Sequence, residues 1–303
     1  MITTNLTGNL GNHMWQYAVC RTIAEKLGYE WGVNPTTSHD YFGGKSQMTF
    51  MNVDFGKEVQ GITKEYHEPW KTIHHVDAVN ITMLNPSLYE IEDNTIMLGD
   101  NGAKGGIYQS EDYIIHRKDD IRKWFEIKTD HAIRYDQILA DHNVVLDDDT
   151  CVINFRGGEY RNIPNVLLRR EYWRDAINHM RTINPNMKFV LITDDVNTAN
   201  SFMPYPIQSL HIDVGFDYYA VNQAKWNIIS NSTFGWWAAW LNDDTQMVIA
   251  PKYWARHNVS DGYWATGDSY TRGFTYMDRE GKLFEFNECK HEAIKFYKER
   301  NII

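Results

Sequence analysis

Residues 1–6, with apolar Met1, Ile2 and Leu6 around Thr3-Thr4-Asn5, are a short strand candidate, and the turn Thr7-Gly8-Asn9-Leu10-Gly11-Asn12 follows it. Met14, Tyr17, Ala18 and Ala24 then recur at helical spacing and predict a helix over residues 13–27, which Gly28 can close as a left-handed cap. Residues 34–101 are rich in turn formers and only weakly periodic, so they receive no assignment. Residues 105–109 read as a strand. Ser110 is placed to cap a helix whose first turn holds Glu111 and Asp112, the charge that the helix dipole favours there. The polar break Asp147-Asp148-Asp149 precedes a clearer alternation. Strands are expected at 151–155, 189–193 and 227–230. Helices are expected at 171–181, 217–225, 234–241 and 288–299.

Strands alternating with helices predict βαβ units and a parallel sheet. The start of the chain repeats the strand, glycine turn, helix sequence. The expected fold class is therefore α/β, with two Rossmann-like lobes, residues 1–148 and 149–303, and a cleft at the carboxyl ends of their strands. The last helix is free to pack back on the first lobe. The 303 residues, 43% of them hydrophobic, are enough for two such cores.

The formal net charge is −10, which argues against nucleic acid as a partner, because phosphate backbones are bound by broad basic faces. Cys20, Cys151 and Cys289 lie far apart without a CxxC pair and read as free thiols of a reducing compartment. No apolar run is long enough to span a bilayer, so the expected location is cytoplasmic, with at most peripheral membrane contact. Sequons at Asn5 and Asn258 are then chance matches. The twelve histidines show no ligand spacing, and no metal or cofactor is expected.

Four stretches carry candidate chemistry. Gly8 and Gly11 let the backbone approach a ligand at a helix start, although a tight turn with Asn12 as the N-cap explains them as well. Gly43-Gly44-Lys45-Ser46 lacks the spacing of a phosphate loop and reads as solvated. Arg156 follows the apolar run at 151–155, at the carboxyl end of a buried strand, where Gly157 and Gly158 would clear the approach of an anion. A surface ion pair with Glu159 is the plainer reading. Asp194 and Asp195 follow another strand and suit a ribose or base, or else cap the next helix. Asn231, Ser232, Thr233 and Phe234 lead into a tryptophan-rich helix, where hydroxyls and free N–H groups make a phosphate nest. Trp236 and Trp240, four apart, read as core.

The stretches "GNLGNHMWQYAVCRTIAEKLG", "GIYQSEDYI", "VINFRGGEY", "FVLITDD", "WNIISNSTFGWWAAWLN" and "VIAPKYW" occur in this order over nearly the whole chain. Together they resemble the glycosyltransferases of family 11, the bacterial-type α-1,2-fucosyltransferases. The resemblance implies a GT-B architecture and an inverting, metal-independent transfer of L-fucose from GDP-L-fucose to a hydroxyl of an oligosaccharide or glycan acceptor. It also implies that Arg156 matches the first arginine of an H-x-R-R-G-D-like segment that grips the donor diphosphate. Asn154 stands for that segment's histidine, Gly157 for its second arginine and Glu159 for its aspartate.

The resemblance also implies that the second lobe takes the nucleotide sugar and the first the acceptor, and Arg156 and Asn12 are the expected catalytic residues. Gly8, Gly11, Asn154, Glu159, Asp194, Asp195, Asn231, Ser232, Thr233 and Phe234 would hold the donor. Glu159, Asp194 and His13 are the conceivable general bases. The altered motif keeps two alternatives open: the same fold using another nucleotide-activated deoxy-hexose, and a degenerate, non-catalytic carbohydrate-binding protein.

Overall fold

The structure is a computed structural model that describes residues 1–37, 46–59, 61–67, 95–99, 108–254, 257–258 and 270–299. The strand expected at 105–109 and the Gly43–Lys45 stretch lie largely or wholly outside these residues. The chain divides into two compact units, one built from residues 1–128 and the other from 129–265 and 270–301.

In the first unit, β1 (Ile2–Leu6), β2 (Trp31–Thr37), β3 (Lys64–His67) and β4 (Ile96–Gly99) pair in the order β2-β1-β4-β3, all parallel. Helix α1 (Leu10–Leu27) crosses from β1 to β2 and is buried on most of its surface, polar His13, Gln16 and Thr22 included. It begins three residues earlier than the spacing of its apolar residues predicts. Gly8 takes the left-handed conformation, with φ of 74°, and turns the chain sharply enough for Asn9, not Asn12, to be the N-cap. Gly28 ends the helix as expected, with φ of 74°. Ser110 caps a short 3-10 turn, Glu111–Tyr113, rather than an α-helix. Helix α2 (Lys118–Trp124) follows it.

The second unit opens with α3 (Thr129–Asp141), ahead of the 148/149 boundary drawn from the sequence. Its sheet contains β5 (Thr150–Phe155), β6 (Lys188–Thr193), β7 (Gln208–Leu210), β8 (Trp226–Ile229), β9 (Met247–Pro251), β10 (Thr275–Met277) and β11 (Leu283–Glu285). The order is β11-β10-β9-β8-β5-β6-β7, parallel throughout except for β11. The first strand, β5, therefore lies inside the sheet, between β8 and β6. The chain winds outward through β6 and β7, then returns to place β8 on the other side, as in doubly wound nucleotide-binding sheets.

Every residue of β5 is buried, as a parallel strand covered on both faces requires. Helices α4 (Arg170–Ile183), α5 (Val196–Phe202), α6 (Val214–Gln223) and α7 (Thr233–Trp240) connect these strands. Helix α4 buries Trp173 against Phe155, with ring centroids 5.0 Å apart, and each such aromatic contributes about 2–3 kcal/mol. The Tyr172 hydroxyl donates to the carbonyls of Ile229 (2.7 Å) and Ile249 (3.2 Å), tying α4 to β8 and β9. Trp236 and Trp240 stack at 5.1 Å inside the core, as their spacing predicts. The last helix, α8 (Phe286–Glu299), packs on β10 and β11, and Lys252 Nζ reaches Glu292 at 2.5 Å.

Candidate functional site

Register decides which side chains meet at the carboxyl edge of the second sheet. Phe155 lies opposite Thr193, so the next residues, Arg156 and Asp194, leave the sheet level with each other. On the other side Asn154 lies opposite Ile229, and Ser230 N donates to Asn154 O at 3.0 Å. The winding reverses between β5 and β8, the point where open α/β sheets bind ligands.

Arg156 is held on three sides. Nη1 donates to Asp194 Oδ2, Nη2 donates to Glu159 Oε1 at 3.0 Å, and the guanidinium stands 5.5 Å from the centre of the Tyr160 ring. The second oxygen of Asp194 accepts from Gly157 N at 2.8 Å. The plainer reading of a pair with Glu159 is therefore realised, inside a larger network. The arginine side chain stays 23% exposed, and the guanidinium has N–H groups left for a further acceptor.

The two glycines serve this network rather than clearing a path for a ligand. A Cβ on Gly157 would stand 2.6 Å from the Cβ of Asp195, and Gly158 has φ of 27° with its missing side chain directed at the Asp194 carboxylate. Both let the loop settle on the end of β6. Gly157→Ala is expected to cost about 1–3 kcal/mol, because its close neighbour is a capping residue that cannot retreat. A melting curve of the variant checks this, and an unchanged midpoint would contradict it.

Asp195 is committed elsewhere. Its Oδ1 accepts from Thr198 N at 3.1 Å and its Oδ2 from the Thr198 hydroxyl at 2.7 Å, so it is the N-cap of α5. Such a cap contributes about 1 kcal/mol. Burial opposes its ionisation, but the Thr198 bonds and nearby Arg161, at 3.5 Å, outweigh burial and hold the pKa below the usual carboxylate range. Asp195 is thus tied to the start of α5, while Asp194 stands at the sheet edge beside Arg156.

Across the reversal, Asn231 is buried and its amide donates to Val166 O at 2.9 Å. Ser232 caps α7, accepting from Phe234 N at 3.4 Å, and Thr233 is the first helical residue. The Phe234 ring packs on Tyr218, with centroids 5.9 Å apart. Gly235 lies in the first turn, and a Cβ there would stand 2.5 Å from Asn154 Oδ1, so the helix start closes directly on buried Asn154. Tyr160 was not singled out from the sequence. Its hydroxyl donates to Asn231 O at 3.3 Å while its ring lies beside Arg156, which joins the loops after β5 and β8. An aromatic four residues after the arginine was the available signal.

Gly8, Gly11 and Asn12 belong to the first unit. Gly11 and Asn12 lie in the first turn of α1, and Asn12 Oδ1 accepts from Gln109 Nε2 at 3.1 Å. His13 is buried in the core of this unit, and burial lowers its pKa to about 4. A ring sealed in this way does not reach a substrate, so His13 is withdrawn as a general base.

Among the described residues, no group of three or more His, Cys, Asp or Glu is placed to hold a metal ion, and no helix is long and apolar enough to cross a membrane. The solved structures to which the chain is similar include POFUT1 in complex with GDP-fucose (9% identity, 80% of this chain and 94% of that one, TM-score 0.46). They also include the NodZ α-1,6-fucosyltransferase soaked with GDP-fucose (13% identity, 82% and 94%, TM-score 0.46). Two Escherichia coli proteins are similar over 84% of this chain. They are the O-antigen biosynthesis glycosyltransferase WbnK, 24% identical over 94% of its length, and an alpha-1,2-colitosyltransferase, 28% identical over 92% of its length. The model of glycosyl transferase family 11 matches residues 1–278, and with the motif blocks spread over the same span the chain belongs to that family and is a glycosyltransferase.

Proposed function

We propose that this protein transfers L-fucose from GDP-L-fucose to a hydroxyl of a glycan acceptor, with inversion, without a metal ion and in α-1,2 linkage. The carrying observation is Arg156, fixed at the reversal point between Asp194 and the capped start of α7. In this reading the second unit takes the donor and the first takes the acceptor. The reaction runs in the cytoplasm, with at most peripheral membrane contact, and the buried thiols Cys20, Cys151 and Cys289 stay reduced there.

The acceptor oxygen attacks the anomeric carbon while the bond from that carbon to the β-phosphate oxygen breaks. The bonding electron pair leaves with GDP, and negative charge grows on the diphosphate. Arg156 and the Ser232 hydroxyl, at the positive end of the α7 dipole, are preorganised donors for that charge. They stand in place before the reaction, so stabilising the leaving group needs no metal ion. The acceptor proton passes to a base, for which Glu159, 62% exposed, and Asp194 are the remaining candidates.

A second reading keeps the reaction and changes the sugar. Asn154, Gly157 and Glu159 depart from the family's arginine segment, and one relative is named for colitose rather than fucose. Mass spectrometry of products from a grid of nucleotide sugars and oligosaccharide acceptors separates the two. A product heavier by one fucose from GDP-L-fucose supports the first reading. A product only from another nucleotide deoxy-hexose supports the second. No product and no released nucleotide from any donor would sink both.

A further inference from the structure

The edge that carries Arg156 runs on to a second polar pair. Strand β7 ends with Leu210 opposite Ile192, so His211 leaves the sheet level with Thr193, two strands further out than Arg156. With neighbouring strands about 4.8 Å apart, the ends of β5 and β7 are roughly 10 Å apart. His211 Nδ1 lies 2.6 Å from Asp217 Oδ2, and Asp217 Oδ1 accepts from Ile212 N at 3.4 Å. Asp217 sits in the first turn of α6, which Asp213 caps by accepting from Phe216 N at 2.8 Å.

The two partners differ in exposure. The Asp217 side chain is 8% exposed and that of His211 is 45%. Burial works against the Asp217 charge and raises its pKa, while the bond to Asp217 raises that of His211. The result is an imidazole whose Nδ1–H is committed to a buried carboxylate and whose Nε2 makes no hydrogen bond within the described residues. This is the arrangement that fixes a histidine's ring orientation for use at the other nitrogen. A simple surface tie between β7 and α6 would not need its carboxylate buried, which is costly.

We propose that His211, oriented by Asp217, reads the nucleobase of the nucleotide-sugar donor as an imidazolium, with Nδ1–H on the carboxylate and Nε2–H donating to a carbonyl oxygen of the base. The inference rests on the donor site proposed above. In a doubly wound sheet the first strand's loop takes the phosphates and a carboxylate after the second strand takes the ribose. Along this edge those positions are Arg156 and Asp194, and His211, after the third strand, is next in line. A nucleoside diphosphate gripped at Arg156 and laid along the edge brings its base to His211.

Calorimetric titration of the full chain with GDP, and separately with pyrophosphate, tests this. His211→Ala is expected to weaken GDP binding by about 10- to 100-fold, the value of a hydrogen bond to a charged group. Pyrophosphate affinity and the melting midpoint should not change, and His211→Gln, which keeps a donor, should recover part of the loss. Arg156→Ala should weaken both ligands. A His211→Ala protein that binds GDP like its parent overturns the proposal and leaves the donor site standing. Equal losses for GDP and pyrophosphate in that variant also overturn it, by showing a general disturbance. If the parent binds neither ligand, the donor-site reading fails and takes this inference with it.

Discussion

Arg156→Ala is expected to lower kcat by about 100- to 1,000-fold, the usual loss when one preorganised donor to a developing oxyanion is removed. The protein should remain folded. The guanidinium is 23% exposed and its partners Asp194 and Glu159 are 25% and 62% exposed, so the ion pairs themselves contribute no more than about 1 kcal/mol. Arg156→Lys should recover little, because an ammonium cannot grip two phosphate oxygens with a planar fork. Initial rates of nucleotide release, read beside melting curves, decide the matter. A folded alanine variant with near-normal turnover would remove Arg156 from the mechanism and with it the proposed donor site.

The second large effect is on stability in acid. Burial lowers the pKa of His13 from 6.5 to about 4 and that of His257 to about 3, where Arg279 and Arg169 add repulsion. A depressed histidine pKa means that the unfolded chain takes up a proton that the native state refuses. Stability is therefore unaffected above about pH 6.5 and falls as pH drops from there through the folded-state values. For His13 the full loss is about 3 kcal/mol, reached near pH 4. Urea unfolding of the parent and of His13→Gln at pH 7.5 and 4.5 measures it. The variant should lose about 2.5 kcal/mol less than the parent between the two conditions. Equal losses would show that His13 does not carry the effect.

Much of the second unit was legible because its strands are buried on both faces. Cys-Val-Ile in β5 and Phe-Val-Leu-Ile in β6 are runs that a parallel sheet requires, and α4 has a clear apolar stripe. The short strands were not legible: β7, β10 and β11 have three residues each, too few to show a period. Helix α3 was missed although it is amphipathic, since only Tyr135 and Leu139 are buried in it. The start of α1 was misplaced because Leu10 and Gly11 look like turn residues until the left-handed Gly8 is known.

The site followed the same division. Local signals found Arg156, Ser232 and the Asp194-Asp195 pair, each at a strand end or helix start. What those signals could not supply was partnership. Arg156 and Asp194 are 38 residues apart and meet only through the β5–β6 register, and nothing in the spacing tells Asp194 at the edge from Asp195 in its cap. His211 and Asp217 are six apart, a separation that matches neither a helix face nor a strand face until the turn between β7 and α6 brings them together.

Arg156 has two counter-ions of its own, Asp194 and Glu159. In the proposed cycle an incoming diphosphate must outcompete them, so small singly charged ions gain little by entering, whereas a ligand with several oxygens can displace a carboxylate. Once the sugar has moved on, the same carboxylates are at hand to recapture the arginine. They ease the spent nucleotide out, and the enzyme resets without ever leaving a bare cation for its product to cling to.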